Sequence, residues 1–240
     1  VSDITLADGN SSDRGGALSF SNYGQLTLTR AAIQDCYAQS FGGGIYKNSG
    51  TLSVAYSTIS GNHAGNFGGG FSSNYSVTSL VDSTISGNSA GGFGGGIYGR
   101  MSGSGLTVIN STISGNSAGA EGGGFLLFKS NATLTNSIVA NNTANYGAEL
   151  FAGTQGFVSS NVVANNTLIE GGYSVSGTFS GSNNILGQDP KLGPLTNNGG
   201  PTQTLALLPG APAIDAGDNT TCAATDQRGV ARPYDGDRNG

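Results

Sequence analysis

Residues able to do chemistry are few in this chain. In 240 residues there are one histidine, His63, two cysteines, Cys36 and Cys222, 9 Lys+Arg and 14 Asp+Glu. His63 has no second histidine to share a metal and no serine and aspartate at catalytic spacing, so it reads as a surface residue. Glu121 and Glu149 each flank a glycine-rich bend. As a pair they would bind calcium or act as acid and base, and singly they are solvated turn residues. Asp235, Asp237 and Asn239 open a D-x-[DN]-x-[DN]-G calcium loop whose twelfth-position acid is missing, a weak signal and the one cofactor the sequence suggests. Tyr46 and Tyr98 alternate with apolar neighbours and are expected to point outward, where they would stack on glycans or pack across neighbouring turns. Thr58/Ser60, Thr84/Ser86 and Thr112/Ser114 form a short Thr-x-Ser array that admits a minor ice-binding reading. No set of catalytic residues emerges, so the expectation is a protein without enzymatic activity.

The elements positioning these residues come from repetition. Ser57-Thr58-Ile59-Ser60-Gly61-Asn62 recurs from Ser83 and from Ser111, at spacings of 26 and 28 residues. A second phrase keeps step: Gly42-Gly43-Gly44-Ile45, Gly68-Gly69-Gly70-Phe71, Gly94-Gly95-Gly96-Ile97 and Gly122-Gly123-Gly124-Phe125. Between them lie apolar–polar–apolar triplets such as Leu26-Thr27-Leu28 and Leu52-Ser53-Val54, the period-2 pattern of a strand with one buried face. Three short strands and their bends use up one repeat, leaving no room for the helix a βαβ unit needs.

The predicted fold is all-β: a parallel β-helix of about 6–7 coils over residues 1–188, with about 26 residues per coil. Right-handedness is the commoner hand. Residues 189–240 form a non-repeating tail with all six prolines, expected to cap the solenoid or to clasp a second molecule. Equivalent positions stack about 4.8 Å apart. The expected inward columns are Leu28, Val54, Leu80, Val108, Leu134, Val158; Ile33, Ile59, Ile85, Ile113, Val139, Val163; and Ile45, Phe71, Ile97, Phe125, Leu150. Phe41, Phe67, Phe93 and Tyr146 are expected to stack. Asn62, Asn88, Asn116, Asn142 and Asn166 are expected to form one structural asparagine column at a turn that tolerates left-handed backbone. Cys36 stands in that column, and three states stay open for it: a bond to Cys222 through a folded-back tail, a bond to Cys222 of another molecule, or two free thiols.

Net charge −5 and a pI near 4.6 argue against nucleic acid, and no apolar run is long enough to span a bilayer. The chain opens at Val1 without Met or an apolar leader, as expected of a mature product or a fragment. The Gly-Gly-[Ala/Gly]-[Ile/Phe/Leu] and [Ile/Val]-x-[Gly/Asn]-Asn phrases resemble the GGAI and FxxN repeats of polymorphic outer membrane proteins. Three tail segments, Leu195–Thr204, Leu208–Gly217 and Asp226–Pro233, look like the C-terminal region of bacterial choice-of-anchor Q β-helix proteins. That resemblance implies an exported, extracellular or bacterial cell-surface protein, structural or adhesive, and brings no catalytic residues with it. The expected partners are the chain itself, stacking head-to-tail into a filament, or cell-surface and matrix glycans. The alternative is a carbohydrate-binding or polysaccharide-degrading β-helix.

Overall fold

The computed structural model describes residues 1–100, 105–153 and 159–233. It is a solenoid of about six turns built from three parallel sheets. The longest has twelve strands, among them Ile45–Ala55, Phe71–Val81, Gly105–Ile109 and Asn131–Thr135. An eight-stranded sheet contains Ala32–Gln34, Thr58–Ser60, Thr84–Ser86, Thr112–Ser114 and Ile138–Ala140. The third has five two-residue strands, from Asn10–Ser11 to Ser117–Ala118. Registers link residues one coil apart, as in Ile59 with Ile85 and Val54 with Leu80.

The core follows the predicted columns through the middle coils. Leu28, Leu80, Val108, Leu134, Ile33, Ile59, Ile85, Ile113, Ile45, Phe71, Ile97 and Phe125 have no solvent exposure. Burying a side chain of this kind contributes about 1.5–3 kcal/mol, repeated coil after coil. After Val139 the period changes, and two column assignments need correction. Val139 pairs with Ile169, while Val163 pairs with Thr133 and is exposed. Leu134 pairs with Ala164, and Val158 lies outside the described residues. The cause is a lengthened coil, 30 residues from Leu134 to Ala164, followed by shorter ones, 17 residues from Val162 to Phe179. The third sheet stops before these last coils, so the stack tapers.

Two turns explain the polar repeats. Where the twelve-stranded sheet passes to the eight-stranded one, Arg30, Tyr56, Asp82, Asn110, Asn136 and Asn166 all hold positive φ, from 44° to 51°. At the next turn the left-handed residue is Gly61, Gly87, Gly115 or Asn141, and the ladder asparagine follows it. Left-handed backbone thus falls one residue before the asparagine column, where glycine or asparagine carries it at least cost. Asn166 belongs to the first turn, so the structure removes it from the asparagine column.

Candidate functional site

The tail is a strap laid back along the solenoid's flank. Leu192–Thr196 and Thr204–Leu207 form an antiparallel ribbon. Among the described residues, the strap's hydrogen bonds to the stack fall on residues 56–166 and follow the positive-φ turn and the adjacent threonine column. Thr202 Oγ1 donates to Tyr56 O at 3.1 Å, and Thr58 Oγ1 donates to Gln203 O at 2.6 Å. Asn136 exchanges two bonds with the Asp218 backbone, at 2.9 and 2.8 Å, and Asn166 Nδ2 reaches Ala216 O at 3.5 Å.

Asp226 shapes the innermost strap loop. Its Oδ1 accepts from the Arg228 and Val230 amides at 2.8 and 2.9 Å, and its Oδ2 accepts Arg228 Nε and Nη2 at 2.8 and 2.6 Å. The loop presents Gln227, whose Nε2 lies within 3.2 Å of Ser57 O, Thr58 Oγ1, Thr202 Oγ1 and Gln203 O. Gln227 Oε1 accepts from Thr84 Oγ1 at 2.8 Å. Arg232 then pairs with Asp82, which is fully buried. Burial pushes the Asp82 carboxyl above its usual value while Arg232 pulls it down. Asn110, next in the same column, favours the charged form but makes no well-formed bond to it. Asp82 Oδ2 and Asn110 Nδ2 are both buried without a hydrogen-bond partner.

Beside this contact a groove opens between strap and stack. One cavity of about 410 Å³ has Asn110, Thr112 and Ile138 on the solenoid side and Leu205, Ile214 and Asp215 on the strap side. It adjoins a second of about 710 Å³ that reaches Asn136 and Cys222. Asn110, Asp215, Asp226, Arg228 and Arg232 line both. The groove therefore offers guanidinium, carboxylate and amide groups next to apolar wall, a mixture suited to a polar ligand with some apolar surface.

The remaining predicted residues fall elsewhere. Asn62, Asn88, Asn116 and Asn142 form a continuous ladder within the stack. Each Nδ2 of Asn62, Asn88 and Asn116 donates to the next Oδ1 at 2.9 Å. Each of these Oδ1 atoms also accepts the backbone N–H of the residue one coil earlier, at 2.9–3.0 Å. Cys36 begins the ladder, with Sγ accepting from Gly9 N at 3.3 Å and donating to Gln34 O at 3.1 Å, and burial pushes its thiol up. Both cysteines are free, so the internal disulfide does not form. The strap does fold back, but Cys222 stops at Asn136, on a different turn from Cys36 and several coils away.

Tyr46 and Tyr98 point away from the aliphatic core yet are only 4% and 5% exposed, which removes them as glycan-stacking residues. A column of phenylalanines covers them: Phe41 stacks on Phe67 at 4.7 Å and Phe67 on Phe93 at 5.5 Å, with Tyr98 tilted against Phe67 at 4.8 Å. Arg14 closes that column over Phe41 and donates to Tyr46 OH at 3.0 Å. At the other end Glu121 sits between Phe93 and Tyr146, leaving Tyr146 exposed and unstacked. Glu149 occupies a different column, so the two glutamates do not pair; it accepts from Asn142 Nδ2 at 2.6 Å. The Thr-x-Ser array is not an open lattice, because Thr58 and Thr84 are buried against the strap. His63 Nδ1 contacts Ser89 Oγ at 2.8 Å, and its ring stacks on Tyr37. Asp235, Asp237 and Asn239 lie outside the described residues. Among the described residues, no group of three or more His, Cys, Asp or Glu converges to hold a metal, and no helix is long and apolar enough to cross a membrane.

The repeat pattern gives no sign of the strap contacts made by Asp82, Gln227 and Arg232. The one available signal was the non-periodic Asp226–Pro233 segment, rich in groups that bond at fixed geometry. In comparisons with known proteins, neither curated proteins nor solved structures gave a match. A family model described as "Right handed beta helix region" matches residues 16–189, most of the chain and nearly all of the stacked coils. The chain belongs to the right-handed β-helix family.

Proposed function

We propose that this protein is a non-catalytic structural and adhesive β-solenoid of the cell exterior, and that the groove beneath its strap is the recognition surface. The observation that carries this reading is how the polar side chains are used. Two polar columns of the stack are spent on themselves, the asparagine ladder and the serine ladder of Ser57, Ser83, Ser111 and Ser137. The groove wall carries Asn110, whose Nδ2 makes no well-formed hydrogen bond, and Asp215, beside the ion-paired guanidinium groups of Arg228 and Arg232. Hydroxyl-rich surface glycans fit such a lining, since each hydroxyl both donates and accepts. The composition and the repeat resemblance support an exported location.

End-to-end filament growth is the weaker route to self-association. The terminal coils lack the third sheet, so their cross-section differs from that of the coils before them and offers poor register for another stack. The test is retention of the purified chain on whole cells and on immobilised polysaccharides, with Arg228→Ala and Asp215→Ala as groove variants and Ser89→Ala as the control. Binding without release of new sugar ends, lost in the groove variants alone, supports the proposal. Steady release of cleaved polysaccharide that the groove variants abolish would establish an enzyme instead.

A further inference from the structure

The asparagine ladder ends on an acid. Glu149 stands where earlier coils have the third glycine of the bend, Gly44, Gly70, Gly96 and Gly124. Those glycines leave room for the ladder amide; a Cβ on Gly70 or Gly96 would lie 3.1–3.2 Å from an asparagine side chain. In the last member the bend residue itself supplies the ladder's end. Glu149 Oε2 accepts from Asn142 Nδ2 at 2.6 Å, and Oε1 accepts from Asn142 N at 3.4 Å. The side chain is 3% exposed.

The next coil closes over it by a short cut. Leu168–Ile169 leads through Glu170-Gly171-Gly172 straight to Tyr173–Val175, with no strand in the third sheet. A Cβ on Gly171 would lie 3.6 Å from Glu149 Oε1, so this link packs on the carboxyl. Glu149 N donates to Gly172 O at 2.9 Å, joining the two directly. The charged group facing Glu149 is Glu170 of the same link, whose Oε2 accepts from Asn141 N at 2.6 Å. The turn below, Ala140 to Thr143, and the bend Gly122 to Gly124 bring no charge, and Glu121 stands in the outer aromatic column. Among the described residues no cation faces the carboxyl, and one like charge sits on the neighbouring amide.

We propose that Glu149 and Glu170 form a proton-operated catch that holds the tapered terminal coil, residues 170–187, onto the three-sheet stack. With Glu149 protonated, its neutral carboxyl lies dry between Asn142 and the 170–172 link. When it ionises, the buried charge has no counter-ion among the described residues and is repelled by Glu170, and the link opens to let water in. Burial pushes the Glu149 carboxyl from 4.5 up to about 7 against the pull of the two Asn142 hydrogen bonds, and the Glu170 charge adds a smaller push in the same direction. The closed state holds the proton more tightly than the opened one, so closure is strongest below pH 4.5, weakens steadily as pH rises from there, and levels off above about 7. At full effect this weakens closure by up to about 300-fold.

Amide hydrogen exchange, corrected for intrinsic rates, tests this on the whole chain between pH 5 and 8.5. Protection at Tyr173–Val175 and Ile185–Leu186 is expected to fall by tens-fold, up to about 75-fold, mostly between pH 5 and 7, and to level off above, with Thr84–Ser86 unchanged. Glu149→Gln should flatten that profile, and Glu170→Gln should move its midpoint to lower pH by removing the like charge. A flat wild-type profile, or an unchanged fall in Glu149→Gln, overturns the proposal. If Glu149→Gln does not fold, the carboxyl ¹³C shift of Glu149 in the wild type decides. Titration near pH 7 supports the catch, and titration below pH 5.5 overturns it.

Discussion

Replacing Asn88 by alanine tests the central physical claim, that the stack is held by a hydrogen-bonded column as well as by its aliphatic core. Asn88 Oδ1 accepts from Asn62 N at 3.0 Å and Asn62 Nδ2 at 2.9 Å, and its Nδ2 donates to Ile59 O at 2.9 Å and Asn116 Oδ1 at 2.9 Å. Two of these partners have other bonds. Asn62 Nδ2 keeps Ile33 O and Ser60 O, and Asn116 Oδ1 keeps Asn88 N. The backbone amide of Asn62 loses its acceptor and Ile59 O loses this donor, in a region where Asn62, Ile59 and Asn88 are at most 1% exposed. An orphaned buried polar group costs about 1–3 kcal/mol, so the substitution should cost about 2–5 kcal/mol, far more than its change in volume suggests. Urea unfolding followed by circular dichroism reads the loss, with Ser89→Ala, on the outer column beside it, expected within about 0.5 kcal/mol of wild type. A loss below about 1 kcal/mol for Asn88→Ala would refute the reasoning, because the ladder would then be a consequence of stacking and not a support for it.

Other substitutions probe the ends of the columns and the strap. Cys36→Asn should stabilise the chain by about 1 kcal/mol in thermal unfolding, since Gly9 N, Gln34 O and Asn62 Oδ1 already lie around the Cys36 site. Reductant should leave the melting temperature of the wild type unchanged, because both thiols are free. Arg232→Ala leaves the Asp82 carboxylate without its cation. The strap should detach to hydrate it, read as faster protease cleavage within residues 189–233, and Asp82→Asn in the same chain should restore part of the resistance. Gln227→Ala removes the amide that bridges Ser57, Thr58, Thr84 and Thr202, and should likewise speed cleavage of the strap while the stacked coils stay resistant.

The stacked coils were legible because a solenoid repeats its physics. Ile59, Ile85 and Ile113 recur because each meets the same neighbours one coil away, and the asparagine and glycine phrases recur for the same reason. Their period alone specified three strands per coil, the inward columns and four of the five ladder asparagines. Where the period changed, the reading drifted: a lengthened coil after Val139 put Ile169, not Val163, beneath it, and moved Asn166 to the other turn. Tyr46 and Tyr98 were correctly set opposite the aliphatic core, but alternation says only which side of a strand a residue faces. Whether that side is wet depended on the neighbouring phenylalanine column. The strap was out of reach for a more basic reason. Asp82 and Arg232 are 150 residues apart and occur once each, so no repetition records their contact. Tertiary structure alone decided that the tail lies along the threonine column, that it covers the array and opens a groove, and that Glu149 closes the ladder. Each of these depends on side chains meeting once, at a distance that a periodic sequence does not encode.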